Sequence, residues 1–382
     1  MWALALISAV GSAAIHMLVP ALPALAEDLA VAPQTAQYAI SLYLFGLAAG
    51  QFFAGPMTDR AGRRPVLIGG AILHIAGAAL GAGASSIAML WLGRVIQAIG
   101  AGASLVAARV VVGDLFSRGE AGRGQAQLMA VALLSPAIAP AVGGHISDAL
   151  GWRAVPAVQA GAALAALVLV WHSIPETLRQ SEAGKGRFLC NSLRLLRNAD
   201  FRRMAGAIAL YGSALFMFFA TAPFLLIDHW EASAGQAGLY LMLTAAAAIS
   251  GTLAVVYLEK HFEAVRFGLT ISLVGALLSM VLAIATEGGW FALIGPAMIV
   301  TFGLGIAGPA SVARIIHCED GLAGTALSLS GTLQMSIGAI ASLALGAITA
   351  PSFVPLSIGM TVTIGLAWLA APPGQPAARS MD

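Results

Sequence analysis

The stretch GPMTDRAGRRPVL, residues 55–67, joins two long apolar segments and decides the fold. It holds one acid, Asp59, amid three arginines, of which Arg63 and Arg64 follow Gly62. Glycine allows sharp turns and close backbone approach. A carboxylate is stabilised near a helix N-terminus, so we expect Asp59 to meet the start of another helix on the same side. The stretch therefore predicts a tight, charged turn between two helices, built on Gly55, Asp59, Arg60, Gly62, Arg63 and Arg64.

The chain around this turn is unusually apolar. Of its 382 residues, 59% are apolar and 9% are charged, whereas an ordinary globular domain is about 45–50% apolar and about 25% charged. So few charges cannot cover a soluble protein, and disordered chains have low hydrophobicity. The excess apolar surface must face lipid. The net charge of +2 and the two isolated cysteines exclude a nucleic-acid-binding protein and a disulfide scaffold, and the composition excludes a soluble enzyme.

Twelve stretches reach the roughly 20 apolar residues that a helix needs to cross a bilayer. The first is predicted to be retained rather than cleaved as a signal peptide, because no basic segment precedes it and further spans follow. The predicted fold class is an all-α membrane protein with 12 transmembrane helices in two six-helix bundles. The predicted spans are 3–24, 36–57, 66–84, 88–111, 125–146, 152–174, 204–227, 234–257, 265–285, 290–312, 322–347 and 352–371.

The basic residues predict the orientation and the domains. They concentrate in the connections after the even-numbered spans, and only Arg153 falls on the other side. By the positive-inside rule both termini are then cytoplasmic. The long basic segment after span 6 predicts a linker that lies on the inner leaflet, and this six-plus-six layout is typical of transporters. The predicted domains are a bundle at 1–174, a cytoplasmic linker at 175–203, a bundle at 204–371 and a cytoplasmic tail at 372–382.

Three stretches resemble motifs of the major facilitator superfamily. Residues 55–67 resemble its loop motif G-x-L-a-D-r-x-G-r-k, and RVIQAIGAG at 94–102 resembles its fourth-span motif. SPAIAPAVGG at 135–144 is similar to its fifth-span antiporter motif, with Ala139 in the place of a glycine. Further stretches make the chain resemble the Bcr/CflA drug-efflux subgroup over about residues 16–178: PALP at 20–23, RVVVGDLF at 109–116 and GWR at 151–153.

The resemblance implies a drug:proton antiporter with the superfamily fold. It implies gating roles for the loop motif and, at the end of span 4, for Arg109 and Asp114. The fifth-span motif is associated with export, and its residues here are Pro136, Pro140, Gly143 and Gly144. Proline kinks a helix and glycines allow close packing, which suits a helix that seals one side of a pathway. Ordinary tolerance of proline in membrane helices is the alternative.

Arg94 lies inside span 4, where an arginine costs at least about 2.5–3.5 kcal/mol on insertion scales and marks a functional site. Outward snorkelling is the alternative. Gln97 shares its helix face, and His16 occupies the place of the subgroup's first-span acid. We expect neutral His16 to accept a hydrogen bond from Arg94 and to respond to protons or substrate. Otherwise His16 is a satisfied core residue, or proton coupling has been lost.

Other polar and aromatic residues carry weaker predictions. Small-residue stripes on spans 2 and 11 predict close helix packing, and His74 lacks a second ligand at metal spacing, so we predict no metal site. A largely apolar cavity with few polar groups is expected for a drug-like substrate. Its predicted lining is Met17, Tyr43, Phe216, Phe219, Tyr240 and Gln334.

The leading prediction is secondary-active, proton-coupled efflux of small drug-like compounds by alternating access. Without a GxxxxGK[ST] loop, direct use of ATP is not supported, and we predict no cofactor. The alternative is export or import of one specific metabolite or siderophore-like compound, with or without proton coupling. A membrane enzyme or sensor would need a larger polar cluster than His16, Arg94 and Gln97. The expected partners are a small-molecule substrate, protons and the lipid bilayer but no nucleic acid, for a monomer in the bacterial cytoplasmic (inner) membrane.

Overall fold

The computed structural model describes most of the chain: residues 2–115, 134–135, 137–178, 188–258, 262–285, 289–319 and 322–372. Within these ranges the regular elements are helices and no strand forms, which confirms the all-α prediction. Eleven helical segments are long and apolar enough to cross a membrane, and each overlaps one predicted span. The fifth predicted span lies partly outside the described residues. Pro136, residues 179–187 of the linker and residues 373–382 of the tail lie entirely outside them.

The first group of helices follows the predicted spans closely. A 3-10 turn at Val19–Ala21 joins α1 to α2, so that the two together form the first membrane-spanning segment. The helices of this group are α1 (Trp2–Leu18), α2 (Leu22–Asp28), α3 (Pro33–Ala61), α4 (Arg63–Ala82), α5 (Ile87–Leu115), α6 (residues 137–150) and α7 (Ala154–Ser173).

The second group begins with a short amphipathic helix of the linker. A π-helical turn at Leu225–His229 extends the following helix to the length of a span. The helices of this group are α8 (Phe188–Arg197), α9 (Ala199–Phe224), α10 (Ala234–Leu258), α11 (Ala264–Ala285), α12 (Trp290–Ile316), α13 (Ala323–Ile348) and α14 (Phe353–Ala370).

A single residue separates α3 from α4. Gly62 adopts a φ of 99°, a left-handed conformation that glycine reaches without the steric cost of a Cβ atom. A Cβ at Gly62 would also collide with the Glu176 carboxylate. The predicted tight turn is therefore confirmed. Both its backbone conformation and the nearby Glu176 carboxylate require glycine at position 62.

Small residues let the first-group helices pack closely, as predicted for the stripe on span 2. A Cβ added to Gly46 would lie 2.8 Å from the Ala98 Cβ, and one added to Gly50 would collide with the Ile99 backbone. Such contacts bring α3 and α5 together at backbone distance. On α13 the predicted stripe differs, because the hydroxyls of Ser328 and Thr332 are buried without a hydrogen-bond partner.

The bundle has two distinct ends. We call the end that carries the turn at 55–67 and helix α8 the basic end, and the other the opposite end. One apolar cluster contains residues of both groups at the opposite end, such as Leu22 and Leu226, and its second-group members continue to Phe201 near the basic end. Near the basic end a separate cluster, which includes Leu67 and Val111, draws on first-group helices and the residue after α7. Apolar packing thus joins the groups at the opposite end.

Candidate functional site

Arg94 lies at the centre of a polar network buried among first-group helices. Its side chain is 2% exposed. Nη1 donates hydrogen bonds to the Ala14 carbonyl at 3.1 Å and to Gln97 Oε1 at 2.8 Å. The guanidinium lies 4.0 Å from the ring centroid of Tyr43, whose hydroxyl donates to the Gly11 carbonyl. Burial excludes snorkelling, because the charge does not reach a membrane surface.

The positive charge of Arg94 has no carboxylate partner among the described residues. Its Nε and Nη2 atoms are buried and have no hydrogen-bond partner, while Tyr43 offers only a ring face. A buried charge without full pairing is costly, so this arrangement does not serve stability. It leaves unused donors and a fixed positive charge in the membrane interior.

Gln159 and His74 extend this network, and the sequence analysis missed their role. Gln97 Nε2 donates to Gln159 Oε1 at 2.8 Å and lies 3.3 Å from His74 Nε2. Gln159 Nε2 in turn donates to the Ala14 carbonyl. The network therefore ties α1, α4, α5 and α7 together. A lone glutamine inside the sixth predicted span was the available signal, since buried amides in membranes need partners.

His16 does not bond to Arg94 as expected. Its Nδ1 bonds to the Ser12 carbonyl one turn earlier, at 3.0 Å, and its ring meets Phe219 edge to face, with centroids 5.3 Å apart. The two residues share a similar depth, because Arg94 contacts the carbonyl of Ala14. However, His16 points from α1 toward α9 of the second group, whereas Arg94 points into the first group. The predicted hydrogen bond is wrong for this structure.

At the basic end, the loop motif forms a charged network with the end of α5. Arg63 is buried, and its Nε donates to Asp114 Oδ2 at 3.0 Å. Asp59 lies 3.7 Å from the same guanidinium, and Thr177 also donates to Asp114. In the described part of the chain no hydrogen bond joins Asp59 to α13, so its predicted contact with a helix start stays a prediction. Arg60 is exposed, Arg109 is partly buried on α5, and the Gly55 carbonyl accepts the Thr58 hydroxyl.

Glu176 caps the start of α4 and was not predicted. Its carboxylate accepts the backbone N–H groups of Arg63 at 3.0 Å and Arg64 at 3.2 Å. Partial burial acts to raise the pKa of Glu176, but backbone hydrogen bonds from Leu178, Arg63, Arg64 and Thr177 outweigh it. The pKa of this carboxyl therefore lies below its usual value, and the ionised form holds the turn.

We expect Glu176→Gln to destabilise the turn by about 0.3–1 kcal/mol, the usual effect of a charge at a helix N-terminus. Because the Glu176 side chain is exposed to solvent, screening favours the lower end of this range. Because the folded pKa is lowered, the contribution is complete above the ordinary glutamate pKa of about 4.3. It disappears as the pH falls through the folded value. Unfolding midpoints of both proteins against pH would test this.

Glu27→Gln is the matched control, because Glu27 is an exposed glutamate at the opposite end. It should not reproduce the pH-dependent difference. A constant difference between Glu176→Gln and the unchanged protein down to pH 3 would contradict the capping role.

The antiporter-motif glycines pack α6 closely against two neighbours, and Gly144 lies where the two groups of helices meet. A Cβ at Gly144 would collide with Ala234 at the start of α10, in the second group, whereas one at Gly143 would collide with the Met17 carbonyl of α1, within the first group. Gly238 of α10 makes a similar contact with α6, since a Cβ added at Gly238 would collide with the Pro140 carbonyl. Backbone therefore meets backbone across this junction, which glycine alone permits.

Asp148 completes the junction from the end of α6. Its carboxylate accepts the Ala234 and Gly235 backbone N–H groups at 3.1 and 2.8 Å. A carboxylate at a helix N-terminus is favourable, and this one reaches α10 from the first group of helices. The acid-to-helix contact that the sequence predicted for Asp59 is thus made at the opposite end, by a different residue.

The remaining predicted lining residues are dispersed. Phe216 and Gln334 pack between α9 and α13, where they contact Gly338 and Gly212. Tyr240 stacks on Trp290, with ring centroids 4.5 Å apart. Of the predicted lining, only Phe219 contacts His16 through its ring.

Comparisons with known proteins agree with this architecture. The model of the Major Facilitator Superfamily matches residues 4–343. The bicyclomycin resistance protein homolog of Haemophilus influenzae is 26% identical over 92% of this chain and 88% of its own length. The chloramphenicol resistance protein of Pseudomonas aeruginosa is 30% identical over 86% and 80%.

A third relative and a solved structure complete the comparisons. Multidrug resistance protein D of Escherichia coli is 28% identical over 89% of this chain and 86% of its own length. The crystal structure of a D-xylose-proton symporter superposes with a TM-score of 0.76 over 97% of both chains, at 14% identity. That likeness concerns the fold alone.

Proposed function

The chain belongs to the Major Facilitator Superfamily and resembles its Bcr/CflA drug-efflux subgroup, and we propose that it exports small drug-like compounds by alternating access. The observation that carries this proposal is the junction at the opposite end. There α6 of the first group and α10 of the second meet through glycines and the Asp148 cap. α3 and α13 also pack against each other between the groups, and contacts between two preformed helix groups can separate without unfolding either group.

The relatives support the substrate class. Their names refer to resistance to bicyclomycin, chloramphenicol and multiple drugs. We infer that this chain likewise handles small organic molecules, and that it is a transporter rather than an enzyme. Export of one specific metabolite without proton coupling is the second candidate, because a histidine replaces the subgroup's first-span acid.

The proposed topology has twelve spans with both termini in the cytoplasm of a bacterial cell, so the basic end faces the cytoplasm. Residues 1–174 and 204–371 would move as two bundles about the central linker. In this arrangement the structure is closed toward the outside. When the protein closes toward the cytoplasm instead, we expect Asp59 to cap the start of α13, as Asp148 caps α10 here.

His16 is the proposed proton- or substrate-responsive residue. Its ring lies between the two helix groups, against Phe219 of α9. A substrate or a proton that moves between the two groups would therefore reach it. Arg94 lies at a similar depth, where it donates to the Ala14 carbonyl two residues before His16. Proton coupling would then work through loss of the His16 proton when substrate enters.

We expect His16→Ala to lose the stimulation of transport by a pH gradient, roughly 10-fold or more, a typical contribution of a positioned proton-transfer group. Movement of substrate down its own concentration gradient should remain. The assay uses proteoliposomes with an acidic lumen, a phenicol antibiotic and the cationic dye ethidium as probes.

His317→Ala is the matched control, because His317 also bonds to a carbonyl four residues earlier but lies at the basic end. It should transport like the unchanged protein. Transport that ignores the gradient in every protein would exclude proton coupling and favour the second candidate. Absence of movement for both probes would oppose drug export itself.

A further inference from the structure

We propose that the basic end of α14 binds the headgroup phosphate of an anionic phospholipid. Two arginines from different helices converge there. Arg203 Nε of α9 donates to the Ala370 carbonyl, and Arg266 Nη2 of α11 donates to the Ala371 carbonyl, both at 3.2 Å. Because these carbonyls belong to consecutive residues, the two guanidinium groups lie within about 10 Å of each other.

Both arginines keep donors for a ligand after capping the helix. Arg203 is exposed and donates to the Ala370 carbonyl through Nε. Arg266 is partly exposed, and its guanidinium donates to Ala371 through Nη2. Guanidinium groups bind phosphate through paired N–H donors, so two of them can hold one phosphodiester between them.

The neighbouring charged groups are already engaged. Glu263 accepts Arg314 Nη1 at 3.0 Å and the Arg266 backbone N–H at 2.7 Å. Arg202 donates to the Leu196 and Arg197 carbonyls at the end of α8. The positive charge of Arg203 and Arg266 is therefore not cancelled by a carboxylate that bonds to either guanidinium among the residues described.

The residues around the two arginines are of the types found where a membrane protein meets the lipid headgroups. Arg266 lies 5.1 Å from the ring centroid of Trp368, whose indole N–H donates to Thr270, and tryptophan is typical of the headgroup region. From this point an apolar stripe runs along α14 into the membrane. Its members recur at helical spacing and are 44–65% exposed: Ile358, Val362, Leu366 and Leu369. A phosphate on the arginines would place acyl chains along this stripe.

The occupant is therefore a phospholipid rather than free phosphate. Charge complementarity selects an anionic headgroup, and the stripe selects a ligand with acyl chains. The positive-inside rule alone would allow arginines anywhere on this surface. Arg203 and Arg266 instead lie beside Trp368 and the exposed apolar stripe of α14. Binding would fix α9, α11 and α14 to one another at the membrane surface.

The test is native mass spectrometry of the purified full chain titrated with cardiolipin, phosphatidylglycerol or phosphatidylcholine. At about 1 kcal/mol for each arginine near the surface, Arg203→Gln or Arg266→Gln should weaken binding of the anionic lipids about fivefold. The double variant should weaken it roughly 30-fold. Binding of phosphatidylcholine should not change, which shows that the variants are folded.

Arg197→Gln is the matched control, because it removes one exposed positive charge from α8 of the same surface. It should change anionic lipid binding less than twofold. Equal binding by the double variant and the unchanged protein would overturn the proposal, as would an equal loss in Arg197→Gln. Displacement of the lipid by millimolar inorganic phosphate would assign the site to free phosphate instead.

Discussion

Replacing Arg94 with methionine is expected to abolish transport driven by a pH gradient, while the free energy of unfolding stays the same or rises by up to about 4 kcal/mol. A buried charge that lacks an ionic partner is costly, and apolar residues of similar volume often replace buried ions without loss of stability. Arg94 is 2% exposed and leaves Nε and Nη2 without partners. Its removal therefore relieves a desolvation cost that its two hydrogen bonds only partly offset.

The expected loss of function has a separate cause. Under the proposed function Arg94 supplies a fixed positive charge at the depth of His16, and it links Gln97 to the Ala14 carbonyl of α1. Without it, Ala14 keeps the bond from Gln159, so the packing persists while the charge is lost. Gradient-driven uptake into proteoliposomes should fall at least 100-fold, measured beside the unfolding midpoint in detergent.

Two further variants separate charge from shape. Arg94→Lys keeps the charge but lacks the planar fork, so partial transport is expected. Arg153→Met is the control, since Arg153 is paired with Asp28 at the surface and should retain transport. An Arg94→Met protein that loses transport together with several kcal/mol of stability would show that Arg94 is a structural residue.

The Arg94 network shows what sequence reasoning can reach. An arginine inside an apolar span is visible at once, and so is Gln97 one turn away on the same face. Gln159 is 62 residues further along the chain than Gln97, and the packing of α7 against α4 and α1 brings it near. The spacing of residues in the sequence predicts neighbours on one helix, but it does not predict which helices pack against each other.

The His16 prediction failed for a related reason. Helix direction gives the depth of a residue, and the depths of His16 and Arg94 agree. The rotation of α1 about its axis decides which neighbour His16 meets, and it points the ring at Phe219. At the loop motif the glycine turn was predictable from local sequence, whereas the Glu176 cap, which joins residues 113 positions apart, was not.

Gly144→Val is expected to hold the opposite end open. The added Cβ would collide with the Ala234 carbonyl and lie 2.7 Å from its carbonyl carbon and 3.0 Å from Gly235 Cα. These are backbone atoms at a helix start, which cannot rotate away as a side chain does. Overpacking of this kind costs about 1–3 kcal/mol. Since only the closed state pays that cost, the closed population should fall about 5- to 150-fold relative to the open one.

Labelling can measure this shift directly. In a protein with Cys190 and Cys318 replaced by serine, Phe219→Cys places a thiol beneath the seal, where Phe219 is 7% exposed. A membrane-impermeant maleimide added from the opposite end should label it faster when Gly144→Val is present, and transport should slow because the cycle requires closure.

Gly161→Val on α7 is the matched control, because nothing lies within 4 Å of its added Cβ, so the same valine is introduced without the collision. It should leave labelling unchanged. Asp148→Ala removes the cap from Ala234 and Gly235 and should shift labelling in the same direction as Gly144→Val, but by less, since a cap is worth about 0.5–2 kcal/mol. Unchanged labelling in both seal variants would mean that α6 and α10 do not form the gate.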